Sequence, residues 1–301
     1  MISPKRQTII AWIAVAISAI FANLWAFWGI NENFHEGWYA TRLWDNLLTM
    51  IFQYLLLALA FIGLGLIAIR FHRVGAGLSL GIGLFSIWFF HGASLPVHLT
   101  ISGFFALIAL AFFFGEPDPR RWAYAITAGL PCLTLLFFAI EPVLRISGRV
   151  DDGNYGARQV TGNGITLVWA PQGPGYPLRG GVIWSEAVRR CHYLSTDGAV
   201  VQGAPVDVWR LPTVGEAVRS MQRHNQPAGG TWNASLGQAT YLIMPDKETP
   251  LWNPHSMVIY WWTATEFDAT RAYRAVYSGL ITPYPKNMAA DYFSFRCVRY
   301  P

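Results

Sequence analysis

Charge is scarce in this chain: only 13% of its 301 residues are Asp, Glu, Lys or Arg, against 53% that are hydrophobic. Soluble domains carry about 25% charged residues, so this scarcity excludes a protein that lies wholly in water and puts part of it in lipid. Basic runs are missing as well. The formal net charge is +5, yet no four consecutive residues are Lys or Arg. Eight basic residues stand against six acidic ones up to position 145, and fourteen against eleven beyond it. Neither half is a basic arm, which excludes nucleic acid as a partner. Cysteine is limited to three, and no charge-free apolar run occurs after Arg145.

Before Arg145 such runs dominate. Residues 1–145 read as a membrane α-helical bundle of about five transmembrane helices, at 9–30, 47–69, 74–90, 97–114 and 122–143. A bilayer core of about 30 Å needs about 20 helical residues, so the third and fourth are the shortest that serve. The first run has no small-residue cleavage site around Asn23 to Trp28 and reads as a span. Basic residues fall in alternate loops: Lys5 and Arg6, Arg70 and Arg73, then Arg120 and Arg121, with only Arg42 in the intervening loops. The positive-inside rule then predicts a multi-pass protein of a bacterial-type inner or plasma membrane. Its N-terminus is cytoplasmic and everything after Arg145 is periplasmic or extracellular. Asn23 and Gln53 are expected to hydrogen-bond between helices, and Gly75, Gly77, Gly81 and Gly83 to permit close helix contact, within the bundle or in a homo-oligomer or membrane complex.

After Arg145 the composition turns polar. Residues 146–163, rich in Gly and Asp, read as a linker, and 164–301 as a compact α+β domain. "ITLVW" at 165–169 predicts a first strand. Trp184, Ala187, Val188, Cys191 and Leu194 recur at helical spacing and predict an amphipathic helix. Thr213 and Glu216, three apart, form a capping box ahead of Val214, Ala217, Val218 and Met221, which predicts a second helix. "MVIYWWTAT", "YRAVYSG" and "YFSFRCVRY" predict strands, the last alternating Phe293, Phe295 and Cys297 against Ser294 and Arg296. Cys191 and Cys297 both fall outside the membrane and are able to oxidise. A bridge there would close a loop of about 106 residues and contribute about 4 kcal/mol.

The segments "WSEAVRRCHYLS", "WRLPTVGEAVRSM", "YWWTAT" and "YFSFRCVRY", in this order, resemble the Lcl C-terminal domain family over roughly residues 164–301. The resemblance implies a C-type-lectin-like fold related to the formylglycine-generating-enzyme fold. It implies that Trp209, Arg210, Leu211 and Pro212 lead into the second helix at Thr213 and Glu216, and that Cys191 faces Cys297. It implies too that the two ends of the domain meet. The chain departs from the family pattern at "DGAVVQGAPVD", which looks longer than the usual connection.

The expected function is therefore recognition. A membrane-anchored, extracytoplasmic lectin-like domain would bind a glycan, a cell-envelope component or a protein partner through loops 225–256 and 266–291. The residues suited to such contacts are Trp232, Trp252, Tyr241, Asn253 and Glu266, large rings with a polar edge beside short polar groups. Catalysis is not required: formylglycine-type oxidation needs active-site cysteines, and this domain has only the pair suited to a bridge. No run of clustered oxygen ligands marks a calcium site. The alternative is an accessory subunit of a membrane complex, or a metal-dependent enzyme, with His35, Glu36, His91 and His98 gathered at the outer face. Imidazole and carboxylate suit a transition metal, but no two of these stand at the spacing that fixes two ligands on one helix face. No cofactor is expected beyond that alternative, which would bring a transition metal or calcium.

Overall fold

The computed structural model describes residues 3–36, 38–151, 153–223, 226–244 and 253–301, with the backbone alone at Glu36. The chain divides into two compact units, one of Met1–His35 with Trp44–Val143 and one of Glu36–Leu43 with Leu144–Pro301.

The first unit is all helix: α1 (Pro4–Glu36), α2 (Leu43–Thr49), α3 (Leu56–Arg70), α4 (His72–Phe89), α5 (Leu95–Phe114), α6 (Arg120–Tyr124) and α7 (Leu130–Ser147). A π-helical turn, Met50–Tyr54, follows α2, and another, Ala125–Gly129, joins α6 to α7. Among the described residues, three helical stretches are long and apolar enough to cross a membrane: Pro4–His35, Leu95–Phe114 and Arg120–Ser147. Leu43–Tyr54 and Leu56–Arg70 make a fourth if counted together across their 63° bend. The segment expected at 74–90 is helical as α4, but is not among these stretches.

Helices α1 and α4 bury mainly small residues and expose large ones, the pattern of helices whose solvent is hydrocarbon. In α1 the residues Ala11, Ala14, Ala22 and Ala26 are fully buried, while Ile13, Ile20, Leu24 and Trp28 are exposed. In α4 the buried face is Gly75, Ala76, Ser79, Gly83 and Ser86. Gly83 lets it approach α5, for a Cβ there would sit 3.3 Å from the Ser102 carbonyl oxygen. Ser86 and Ser102 then share a hydrogen bond of 2.6 Å across the two helices. Asn23 accepts from the Thr134 hydroxyl at 2.6 Å, joining α1 to α7. Gln53 takes no such role; it lies exposed in the first π-helical turn.

The second unit holds two main sheets. β1 (Arg158–Gly162), β2 (Ile165–Trp169) and β11 (Val298–Arg299) form an antiparallel sheet in the order β1-β2-β11, so the start and end of the domain pair with each other. β7 (Tyr260–Glu266), β8 (Arg271–Val276), β9 (Ile281–Pro285) and β10 (Phe293–Ser294) form the other, in the order β10-β7-β8-β9. β3 (Gln222–Arg223) pairs with β4 (Gln226–Pro227), and β5 (Gly230–Asn233) with β6 (Gln238–Tyr241). The two expected helices are present as α8 (Trp184–His192) and α9 (Val214–Arg219). The capping box is complete: Thr213 Oγ1 accepts from the Glu216 amide at 3.2 Å, and Glu216 Oε2 from the Thr213 amide at 2.8 Å. Cys191 and Cys297 are disulfide-bonded, with Cα atoms 5.6 Å apart, inside a core that includes Trp209, Trp262, Phe293 and Phe295.

Three expectations need correction. The segment 146–163 is not a linker throughout, because β1 lies in it, paired with β2 around Asn163 and Gly164. The segments 225–256 and 266–291 are not simply loops, since β5 and β6 lie in the first and β8 and β9 in the second. The terminal segment is not one alternating strand: β10 and β11 belong to different sheets, and Phe293 to Val298 are all buried. A segment that passes between two sheets is covered on both sides, so Ser294 and Arg296 have no solvent face to occupy. Arg296 stacks 4.2 Å from the Tyr176 ring centroid, and its Nε donates to the Ala170 carbonyl at 3.0 Å. Burial pulls its pKa down to about 10.

Candidate ligand-binding surface of the C-terminal unit

Register alone brings one unusual group of side chains together. Trp262, Arg274 and Thr282 face each other across β7, β8 and β9, and Tyr260 and Tyr284 lie two residues along the flanking strands on the same face. β10 adds Phe293 beside Tyr260. The Arg274 guanidinium sits 3.8 Å from the Tyr260 ring centroid, 4.0 Å from Tyr284 and 4.8 Å from Phe293. Its Nε donates to Thr282 Oγ1 at 3.1 Å.

Arg274 has no carboxylate partner among the described residues. The neighbouring arginines are different: Arg210 pairs with Glu216, Arg189 and Arg190 with Glu186, and Arg271 with Asp268. Arg274 is half-buried, and burial lowers its pKa while the Tyr260, Tyr284 and Tyr292 side chains act in the opposite direction. Stacked aromatic rings fix a guanidinium plane and leave the N–H donors along its edge, the geometry that grips a carboxylate or phosphate with two parallel bonds. Sequence reading missed Arg274. The signal was the alternation of Tyr260, Trp262, Arg274 and Tyr284 on paired strands, which becomes visible only with the register.

The residues expected to bind ligand are distributed otherwise. Trp232 and Tyr241 share one face of the β5–β6 hairpin, opposite Ala239 and Gly230 respectively. Trp232 is half-buried, edge-on to Tyr273 at 5.3 Å, and lines a cavity of about 190 Å³ with Ile165, Thr213, Glu216 and Arg219. The Tyr241 hydroxyl is buried without a hydrogen-bond partner among the described residues, and burial raises its pKa. Asn253 is buried: its amide N–H donates to the Tyr176 hydroxyl at 2.6 Å, and its Oδ1 accepts from the His255 amide at 2.8 Å. Glu266 ends β7 in an ion pair with Lys286, whose ammonium lies 4.8 Å from the Trp184 ring centroid. Trp252 lies outside the described residues.

In the helical unit, His91 is exposed and its Nδ1 lies 3.1 Å from the Trp88 carbonyl. His98 stands in the first turn of α5 and His35 in the last turn of α1. The Glu36 side chain lies outside the description. Among the described residues no three His, Cys, Asp or Glu side chains converge to hold a metal ion.

Compared with protein-family models, curated proteins and solved structures, the chain gives no match to any of the three.

Proposed function

We propose that this protein is a membrane-anchored recognition protein whose C-terminal unit, displayed outside the cell in a C-type-lectin-like fold, binds an acidic glycan of the cell envelope. The observation that carries this reading is Arg274, half-buried among Tyr260, Tyr284 and Phe293 with no carboxylate partner among the described residues. An ordinary half-buried cation is costly unless paired, so a site that keeps one open is suited to an incoming anion. Aromatic rings with polar edges suit the faces and hydroxyls of a sugar.

The helical unit is the anchor, read as about five spans with the N-terminus in the cytoplasm. Its basic loops support that orientation. The membership of the second unit bears on the number of spans: in it the Arg149 guanidinium donates to the Trp38 carbonyl at 2.8 Å and His255 Nδ1 lies 3.2 Å from the Tyr39 carbonyl. A chain that leaves this unit at Leu43 and rejoins it at Leu144 crosses a bilayer an even number of times in between.

The test is binding of the full-length protein in detergent to uronate-containing and neutral envelope glycans. Arg274→Ala is expected to weaken binding of the acidic glycans about 10- to 100-fold, and Arg274→Lys to restore it only in part, because an ammonium has no fork. Equal binding of acidic and neutral glycans, or an Arg274→Ala protein that is folded and binds as before, would refute the reading.

A further inference from the structure

A second uncompensated positive site lies in the helical unit. A cavity of about 610 Å³ opens between the start of α1, the α3–α4 corner and the end of α5. Arg6, His72 and Arg73 line it, with Gln7 and Glu116. Glu116 is already paired with Arg120. Arg6 and Arg73 have no ion pair among the described residues, so the cavity holds two permanent positive charges with no acid left to answer them. Phe113 and Phe114, both exposed, form an apolar wall beside these cations.

The walls are fixed by close packing rather than by the cations. Gly115 lets the chain leave α5 against α1, since a Cβ there would sit 2.6 Å from the Ala11 nitrogen. Trp12 Nε1 donates to the Asp118 carbonyl at 3.0 Å and ties the same turn to α1. At the α3–α4 corner Gly75 packs directly on Ala68, where a Cβ would come within 2.3 Å of the alanine side chain. Arg6 and Arg73 therefore line a hollow whose backbone walls are closely packed.

We propose that this cavity binds a phosphate group, with Arg6 and Arg73 as the principal donors, Gln7 as a neutral one, and Phe113 and Phe114 against the apolar part of the ligand. Two guanidiniums suit a phosphate because each offers paired N–H donors to its oxygens. The apolar wall beside them matches an anionic lipid, in which a phosphate is joined to hydrocarbon, and the same donors would accept soluble phosphate. This site is independent of whatever the C-terminal unit binds.

The experiment uses full-length protein in a neutral detergent. Native mass spectrometry follows titration with dioleoyl phosphatidic acid and, as the zwitterionic control, dioleoyl phosphatidylcholine; calorimetry follows inorganic phosphate. Saturable binding of one phosphatidic acid, weakened at least 10-fold by Arg6→Gln with Arg73→Gln, is expected. Arg70→Gln with Arg121→Gln, which removes the same charge from outside the cavity, should change it less than 2-fold. Lipid binding without competition by inorganic phosphate assigns the headgroup, and saturable binding of inorganic phosphate that the same pair abolishes assigns a soluble anion; either supports the site. Absence of saturable binding by both probes, or equal weakening by the two double variants, overturns it. If the Gln pair fails to fold, Arg73→Gln alone carries the comparison, and a folded Arg73→Gln protein that binds like the parent also overturns the proposal.

Discussion

Glu216 shows how much one side chain can be asked to do. It completes the capping box with Thr213, takes two bonds from Arg210 at 2.5 and 2.7 Å, and accepts from the Tyr300 hydroxyl at 3.0 Å. Burial raises its pKa, and the bonds from Arg210 and Thr213 more than reverse this, bringing it from 4.5 down to about 2. A carboxyl lowered on folding stabilises the folded state above its unfolded pKa, and that contribution disappears as pH falls through the folded value. The loss is therefore expected between pH 4.5 and about 2, and solvent screening of this partly exposed group keeps it below about 3 kcal/mol. Glu216→Gln should lower the unfolding temperature of the C-terminal unit at pH 7 and flatten its acid dependence in that window. A variant whose acid profile overlays the parent's would assign the acid sensitivity to other groups. Arg274 stands at the opposite pole, a cation surrounded by rings and, among the described residues, by no carboxylate.

At the scale of elements, the first hairpin of the domain turns on Asn163 and Gly164, with φ of 49° and 78°. Positive φ at both central residues marks the two-residue turn whose twist suits antiparallel strands. A Cβ on Gly164 would meet nothing within 4 Å, so the cost of Gly164→Ala is conformational alone. It should destabilise the unit by about 1 kcal/mol, read as a lower denaturant midpoint at unchanged slope; no shift would mean that the turn relaxes to another type. This Asn-Gly pair was legible in the sequence and was lost beneath the polar run around it, which reads as linker. The capping box of α9 and the apolar stripe of α8 were legible because both are local, fixed by residues three and four apart. β9 was not, because Pro283 and Pro285 argue against a strand; it is tolerated at the edge of its sheet, where an amide is not required on the outer side. The Arg274 group needed four strands in register, which no local pattern contains.

For the whole molecule, the decisive quantity is the number of crossings between Leu43 and Leu144. Residues 38–43 belong to the same compact unit as the C-terminal domain, and on the proposal that this unit lies on one side of the membrane that number is even. The bent pair Leu43–Tyr54 with Leu56–Arg70, then Leu95–Phe114 and Arg120–Ser147, make three. On the proposed five-span topology the fourth is α4, eighteen residues and about 27 Å long, with Leu78, Leu80, Phe85 and Trp88 exposed. The competing even solution drops both the bent pair and α4, and it would leave Arg70 and Arg73 outside, against the positive-inside rule. Single cysteines tell the two apart. In a Cys132→Ala background, Phe71→Cys and Asp118→Cys are expected to resist a membrane-impermeant maleimide in intact cells and react after permeabilisation, whereas Gln202→Cys should react from outside. Labelling of Phe71→Cys in intact cells would reduce the anchor to three spans. It would also place Arg73 on the opposite side of the membrane from Arg6 and so remove the phosphate site they share.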